Sequence, residues 1–175
     1  MNKILGEKFF NRDTRIVAKE LLGKFLVRKI GGKNISVIIT QTEAYDGFND
    51  RASHAFRGKT KRTQVMFGKS GIFYVYLCYG MYYMLNIVTR EKNYPAAVLI
   101  RGAKSDDLNI SLNGPGKITK FLKIDKKLNG VDVCESNELW VEDSKERPAK
   151  VKKGKRIGVD YAGKWKDKLW RFRVD

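Results

Sequence analysis

The chain has 175 residues, 36 of them Lys or Arg against 19 Asp or Glu, for a formal net charge of +17. That excess is more than solubility requires and directs attention to a polyanionic partner, nucleic acid first and an anionic membrane surface second. A hydrophobic fraction of 42% with 16 Gly and 3 Pro excludes a fibrous or disordered chain, and no run approaches the roughly 18 apolar residues of a spanning helix.

The length fits one domain over residues 1–175. Met1 to Lys8 contain no apolar signal core, so the expected location is the cytoplasm, or the nucleus in a eukaryote, without membrane association. Cys78 and Cys134 are far apart and the chain has one histidine. Neither a disulfide framework nor a zinc cluster has the residues it needs, and no metal or cofactor is expected.

In chain order, Ile16, Val17, Leu21 and Leu22 recur at helical spacing after Asp13-Thr14 and stop at Gly23, which predicts a capped helix packed on a sheet. Short strand-like runs follow at 25–30, 35–45, 73–79, 82–89 and 97–101, separated by turns such as Gly31-Gly32 and Tyr79-Gly80. Most of the stretch between Gln41 and Ser70 reads as a long loop, a length that points to function. A further helix is expected after Gly114-Pro115-Gly116, and short strands near 139–141, 156–159 and 169–174. The fold class is therefore α+β, a curved and mainly antiparallel sheet flanked by a few helices, with a protruding hairpin.

Charge is uneven. Arg51, Arg57, Lys59, Lys61, Arg62 and Lys69 lie in a segment without acids, and the stretch from Lys150 to Arg173 adds further cations. Asp132, Glu135, Glu138, Glu142, Asp143 and Glu146 gather elsewhere. One side of the molecule should be basic, as phosphate contacts require.

A period of two through 35–45 puts Glu43 on the same side as Ile35, Val37 and Ile39, at the end of an apolar face. A carboxylate there has its pKa raised by burial and lowered by cations, the balance a general base needs; a solvated or ion-paired strand-end Glu is the bland alternative. Arg101 ends the apolar run 97–100, where an inward guanidinium would be a partner for Glu43. His54 lies in the basic loop, where an imidazole can position a ligand without changing charge or can be an idle surface residue.

In residues 73–87 two strand-like runs fold back on Tyr79-Gly80, with Tyr79 at the tip and Tyr74 and Tyr76 on one face. A wedge beside a basic surface is suited to filling the gap left by an extruded nucleotide, and paired rings are suited to stacking a base. Tyrosine core packing is the competing account. Asn86 puts an amide into an apolar strand and needs a partner, either a base edge or a backbone group.

Taken together, Thr42-Glu43-Ala44-Tyr45, His54, Met66-Phe67, Tyr74 to Asn86, Val98 to Arg101, Gly114 to Lys117, Arg156 to Val159 and Arg171 to Val174 resemble the alkyladenine (3-methyladenine) DNA glycosylase family over almost the whole chain. The resemblance implies a monofunctional enzyme that hydrolyses the base–sugar bond of damaged purines in double-stranded DNA; a monomer without a cofactor is expected. Its substrates would be 3-methyladenine, 7-methylguanine, hypoxanthine and ethenoadenine. It further implies that Glu43 activates the water and Arg101 helps hold it. Tyr45 and Tyr76 would clasp the flipped base, with His54 at its edge and Tyr74 shaping the pocket. Tyr79 would intercalate, and Asn86 would crowd the exocyclic amine of normal guanine. A non-catalytic damage-binding or architectural DNA-binding protein is the alternative that charge and wedge also permit.

Overall fold

The computed structural model describes residues 2–144 and 147–174, so Glu146 of the acidic group lies outside the described residues. Two short helices open the chain, α1 over Glu7–Phe10 and α2 over Thr14–Glu20. α2 starts where the Asp13 carboxylate accepts the amides of Arg15 and Ile16, and Gly23 at φ +82° turns the chain out of it. Val17 and Ala18 are buried on its inner side, and Leu21 and Leu22, just past its end, are buried as well.

Nine strands follow among the described residues: β1 (Phe25–Ile30), β2 (Lys33–Asp46), β3 (Phe73–Cys78), β4 (Tyr82–Val88), β5 (Ala96–Ser105), β6 (Ile110–Asn113), β7 (Leu139–Glu142), β8 (Lys152–Gly154) and β9 (Arg171–Arg173). Between β6 and β7 lies α3 (Pro115–Phe121), which begins within the Gly-Pro-Gly rather than after it, with Gly114 at the N-cap and Pro115 in the first turn. The strands form one antiparallel sheet in the order β3-β4-β5-β2-β1-β7, with β6 continuing the free edge of β5 and β9 that of β2. The class is α+β, as expected.

The stretch beyond β2 is less irregular than its sequence implies, since it carries 3₁₀ helices at His54–Arg57 and Gln64–Phe67. The strand expected at 156–159 does not form. Arg156 turns its side chain inward to Asp50, the Ile157 amide goes to the Glu43 side chain, and Gly158 adopts φ +74°. A ladder strand would need those groups for a neighbour.

A larger correction concerns Glu43. β2 and β5 pair along their length, yet the register steps from Ile39↔Ala103 to Gln41↔Gly102 and then to Thr42↔Ile100. Thr40 is thus an extra residue on β2 and Arg101 an extra residue on β5, two bulges on facing strands. Each bulge reverses the alternation of its own strand. Val37 and Ile39 face the main core, and after the bulge so do Thr42 and Ala44; the Thr42 hydroxyl donates to the Ala18 carbonyl of α2 at 2.7 Å. Glu43 and Tyr45 therefore face the opposite side from Val37 and Ile39, contrary to the period-two expectation.

The sheet consequently has two different faces. One carries the main core, with Val37, Ile39, Ala44, Phe73, Leu85, Ile87, Val98 and Ile100 against α2 and α3. On the other, Tyr74, Val88 and Ala97 meet Ala55, Met66 and Phe67 from the basic loop. The bulge is tight: a Cβ on Gly102 would lie 2.9 Å from Gln41 Cβ and 3.0 Å from Thr40 Oγ1. Gly102→Ala should destabilise the protein by about 1–3 kcal/mol, read as a lower midpoint in thermal or urea unfolding; unchanged stability would show that the bulge relaxes freely.

Candidate active site

Register builds the site. Glu43 is directly opposite Leu99, Leu99 opposite Asn86, and Asn86 opposite Tyr74. Residues opposite one another in an antiparallel ladder share a face, so these four form one row across β2, β5, β4 and β3. Tyr45, Tyr76 and Arg101 project from the same face one step along their strands. Above the row is a cleft of about 770 Å³ whose lining includes Tyr45, His54, Tyr74, Tyr76, Asn86 and Arg101, with Tyr79 at the rim.

Glu43 lies under this wall with none of its surface exposed. Its Oε2 accepts from the Tyr45 hydroxyl at 2.9 Å, and its Oε1 accepts from the Ile157 amide at 2.9 Å with Arg101 Nε 3.3 Å away. Burial raises its pKa above the usual carboxylate value, and the Arg101 charge, the Ile157 amide, the Tyr45 hydroxyl and Arg156 oppose that rise. Burial and the neighbouring carboxylate push the Tyr45 phenol well above its ordinary value, so it stays a donor.

The aromatic wall is a stack held by edges. Tyr74 and Tyr76 lie 5.2 Å apart at 35°, and His54 meets Tyr76 edge-on at 4.7 Å. His54 Nδ1 is 3.3 Å from the Tyr74 hydroxyl, and burial, with the charge of Arg62, lowers the imidazole pKa to about 4. It is neutral at physiological pH. Asn86 finds its partner in the backbone, donating to the Tyr74 carbonyl at 3.0 Å.

Tyr79 is 89% exposed, at the end of the β3–β4 hairpin. The turn is of the twisted hairpin type, with positive φ at Tyr79 (50°) and Gly80 (67°) and the Met81 amide donating to the Cys78 carbonyl. Leu77, Met81 and Tyr82 are also exposed beside it.

The sequence gives no sign of the groups that hold these pieces in place. Asp50 and Arg156, 106 positions apart and with fully buried side chains, form a bidentate pair at 2.5 and 2.8 Å. Arg156 also donates to the carbonyls of Ala44 and Trp165 and lies over the rings of Tyr45 and Trp170. Asp50 accepts the amides of Asp46 and Ala52. One ion pair thus ties the end of β2, the approach to His54 and the segment presenting Ile157 to Glu43. Tyr161 adds a second tie, donating to the Ala52 carbonyl at 3.1 Å.

The site is thus a buried carboxylate beneath an aromatic cleft of about 770 Å³, with an exposed tyrosine at the rim. The methylpurine-DNA glycosylase family model matches residues 8–175. Three relatives share the name "Putative 3-methyladenine DNA glycosylase". That of Desulfitobacterium hafniense is 44% identical, with 99% of this chain and 96% of the relative covered. That of Methanocella arvoryzae is 46% identical (97% and 91% covered), and that of Rickettsia rickettsii 49% (99% and 92%). The chain belongs to the methylpurine-DNA glycosylase family, whose members are hydrolytic DNA glycosylases.

Removing one partner of a buried ion pair leaves the other charge uncompensated, at about 3–5 kcal/mol. Arg156→Met should lower stability by that amount in urea unfolding, and Arg156→Met with Asp50→Leu should recover part of it. A single variant as stable as the parent would show that the pair holds nothing together.

Proposed function

We propose that the protein removes alkylated and deaminated purines from duplex DNA by hydrolysing the N-glycosidic bond, with Glu43 activating the water. The observation that carries this reading is the fully buried Glu43 carboxylate under an aromatic cleft. A carboxylate offers about four acceptor positions. The Ile157 amide and Arg101 occupy Oε1 and the Tyr45 hydroxyl takes one position on Oε2. The remaining position on Oε2 is suited to a water.

Cleavage develops positive charge on the deoxyribose, so an ionised Glu43 serves twice, stabilising that charge and taking a proton as the water oxygen bonds to C1′. The base departs with the bonding electrons. An alkylated purine is already cationic and leaves readily; hypoxanthine or ethenoadenine must gain a proton as it leaves. His54, neutral and engaged with Tyr74, positions the base edge without adding charge. Tyr45 and Tyr76 clasp the base by stacking, at roughly 1–3 kcal/mol per base, and Tyr74 shapes the slot. Asn86, fixed through its amide to the Tyr74 carbonyl, limits room at the edge where normal guanine carries its exocyclic amine. Arg101 keeps Glu43 ionised and helps hold the water.

Flipping costs a few kcal/mol, less at a mispaired or damaged site. Tyr79, exposed on a stiff turn, fills the gap left in the duplex. The cations of 51–69 and of the C-terminal stretch meet the phosphates.

Single-turnover assay of a duplex with one hypoxanthine or ethenoadenine tests this directly. The native protein should free the base and leave an alkali-sensitive abasic site, while Glu43→Gln binds the lesion but releases base at least ~100-fold more slowly. Binding without release by the native protein, from an alkylated duplex as well, would make it a damage-binding protein instead. Affinity should also fall with salt at a log–log slope of about 0.9 per phosphate neutralised; a flat salt response would remove the basic segments from the interface.

A further inference from the structure

Two of the three arginines around the cleft are paired: Arg101 faces Glu43 and Arg156 faces Asp50. Arg62 is different. It lines the cleft with its guanidinium carbon 4.9 Å from the centroid of Tyr76, and among the described residues no carboxylate lies within ion-pairing distance of it.

Its position is set by a compact turn. The Thr60 amide donates to Thr63 Oγ1 at 2.9 Å, the Thr63 amide donates to Thr60 Oγ1 at 3.2 Å, and the Thr63 hydroxyl donates to the Gly58 carbonyl at 3.0 Å. Thr63 is buried at 3% exposure, so the residue before it is held at the cleft wall. The charge is felt there: Arg62 depresses the His54 pKa and opposes the upward shifts of the Tyr74 and Tyr76 phenols.

We infer that Arg62 is a specificity-determining residue that weighs the charge of the base, favouring neutral damaged purines over cationic alkylated ones in this cleft. The inference rests on the proposed reading of the cleft as a base pocket. A ring face attracts a cation through its quadrupole, but Tyr76 already has a cation over it, and a second positive charge stacked nearby meets an uncompensated guanidinium. A neutral base of the same shape loses nothing. The pocket thereby offsets part of the intrinsic advantage of cationic purines, which leave more easily.

The test compares single-turnover release of 7-methylguanine and hypoxanthine from otherwise identical duplexes by the native protein, Arg62→Gln and Arg62→Lys. Arg62→Gln should raise the 7-methylguanine to hypoxanthine rate ratio by about fivefold, and Arg62→Lys should leave it within about twofold. The single histidine gives an independent readout by proton NMR: the His54 ring, with its pKa depressed to about 4, should titrate at higher pH in Arg62→Gln. An unchanged ratio, an equal loss on both bases as for a simple phosphate contact, or a His54 titration that does not move would overturn the inference. Release of neither base by the native protein would sink the glycosylase reading, while the His54 titration would still report whether the Arg62 charge reaches the cleft.

Discussion

A carboxylate with no surface in water must be stabilised by fixed dipoles and charges, and Glu43 draws them from one near neighbour and two distant parts of the chain. Tyr45 is on its own strand, Arg101 comes from β5 and the Ile157 amide from the C-terminal segment. Desolvating an ion costs several kcal/mol even after relaxation, so this arrangement persists only if all three are held in place. The Asp50–Arg156 pair does much of that holding, because it joins the backbone flanking Glu43 to the residue just before Ile157. The pKa of Glu43 stays raised despite its partners, which keeps the carboxylate basic as well as ionisable.

The sheet supplies the geometry. With a strict alternation throughout, the residues after Ile39 would keep Glu43 on the side of the helices. The facing bulges at Thr40 and Arg101 move Glu43, Tyr45, Leu99 and Arg101 to the far face, leaving Thr42, Ala44, Val98 and Ile100 to complete the core. The same inversion aligns Glu43 with Asn86 and Tyr74 across four strands. The main core and the candidate site thus lie on opposite faces of one sheet, and the close approach of Gly102 to Thr40 and Gln41 marks the place where they are separated.

Much of this was legible in the sequence where the signal is local. The Asp13 cap with its apolar helix face, the Tyr79-Gly80 turn between two β-like runs, and the Gly-Pro-Gly at the start of α3 each specify structure within a few residues, and each element forms. The face of Glu43 was misassigned because a bulge depends on the partner strand and leaves no mark in a period-two pattern. The strand expected at 156–159 failed for a related reason: Arg156 reads as one cation among many until its buried partner is known. Asp50 and Arg156 lie in no periodic pattern, and their pairing across 106 positions is a property of the folded chain alone. Arg62 likewise merged with the basic segment around it, and only the folded chain, through the Thr60–Thr63 turn and the ring of Tyr76, distinguishes it.

The central claim is that an ionised, abnormally basic Glu43 carries the chemistry. It is tested most directly by following the Glu43 side-chain carboxyl through a ¹³C NMR pH titration, with Glu43→Gln to assign it, beside the pH dependence of single-turnover hypoxanthine release. Since protonation removes the base, the rate should fall as pH drops through the pKa of Glu43. That pKa should lie above the ordinary glutamate value and coincide with the acid limb of the rate. A Glu43 that titrates at or below the ordinary value, or a rate indifferent to its protonation, would contradict the account.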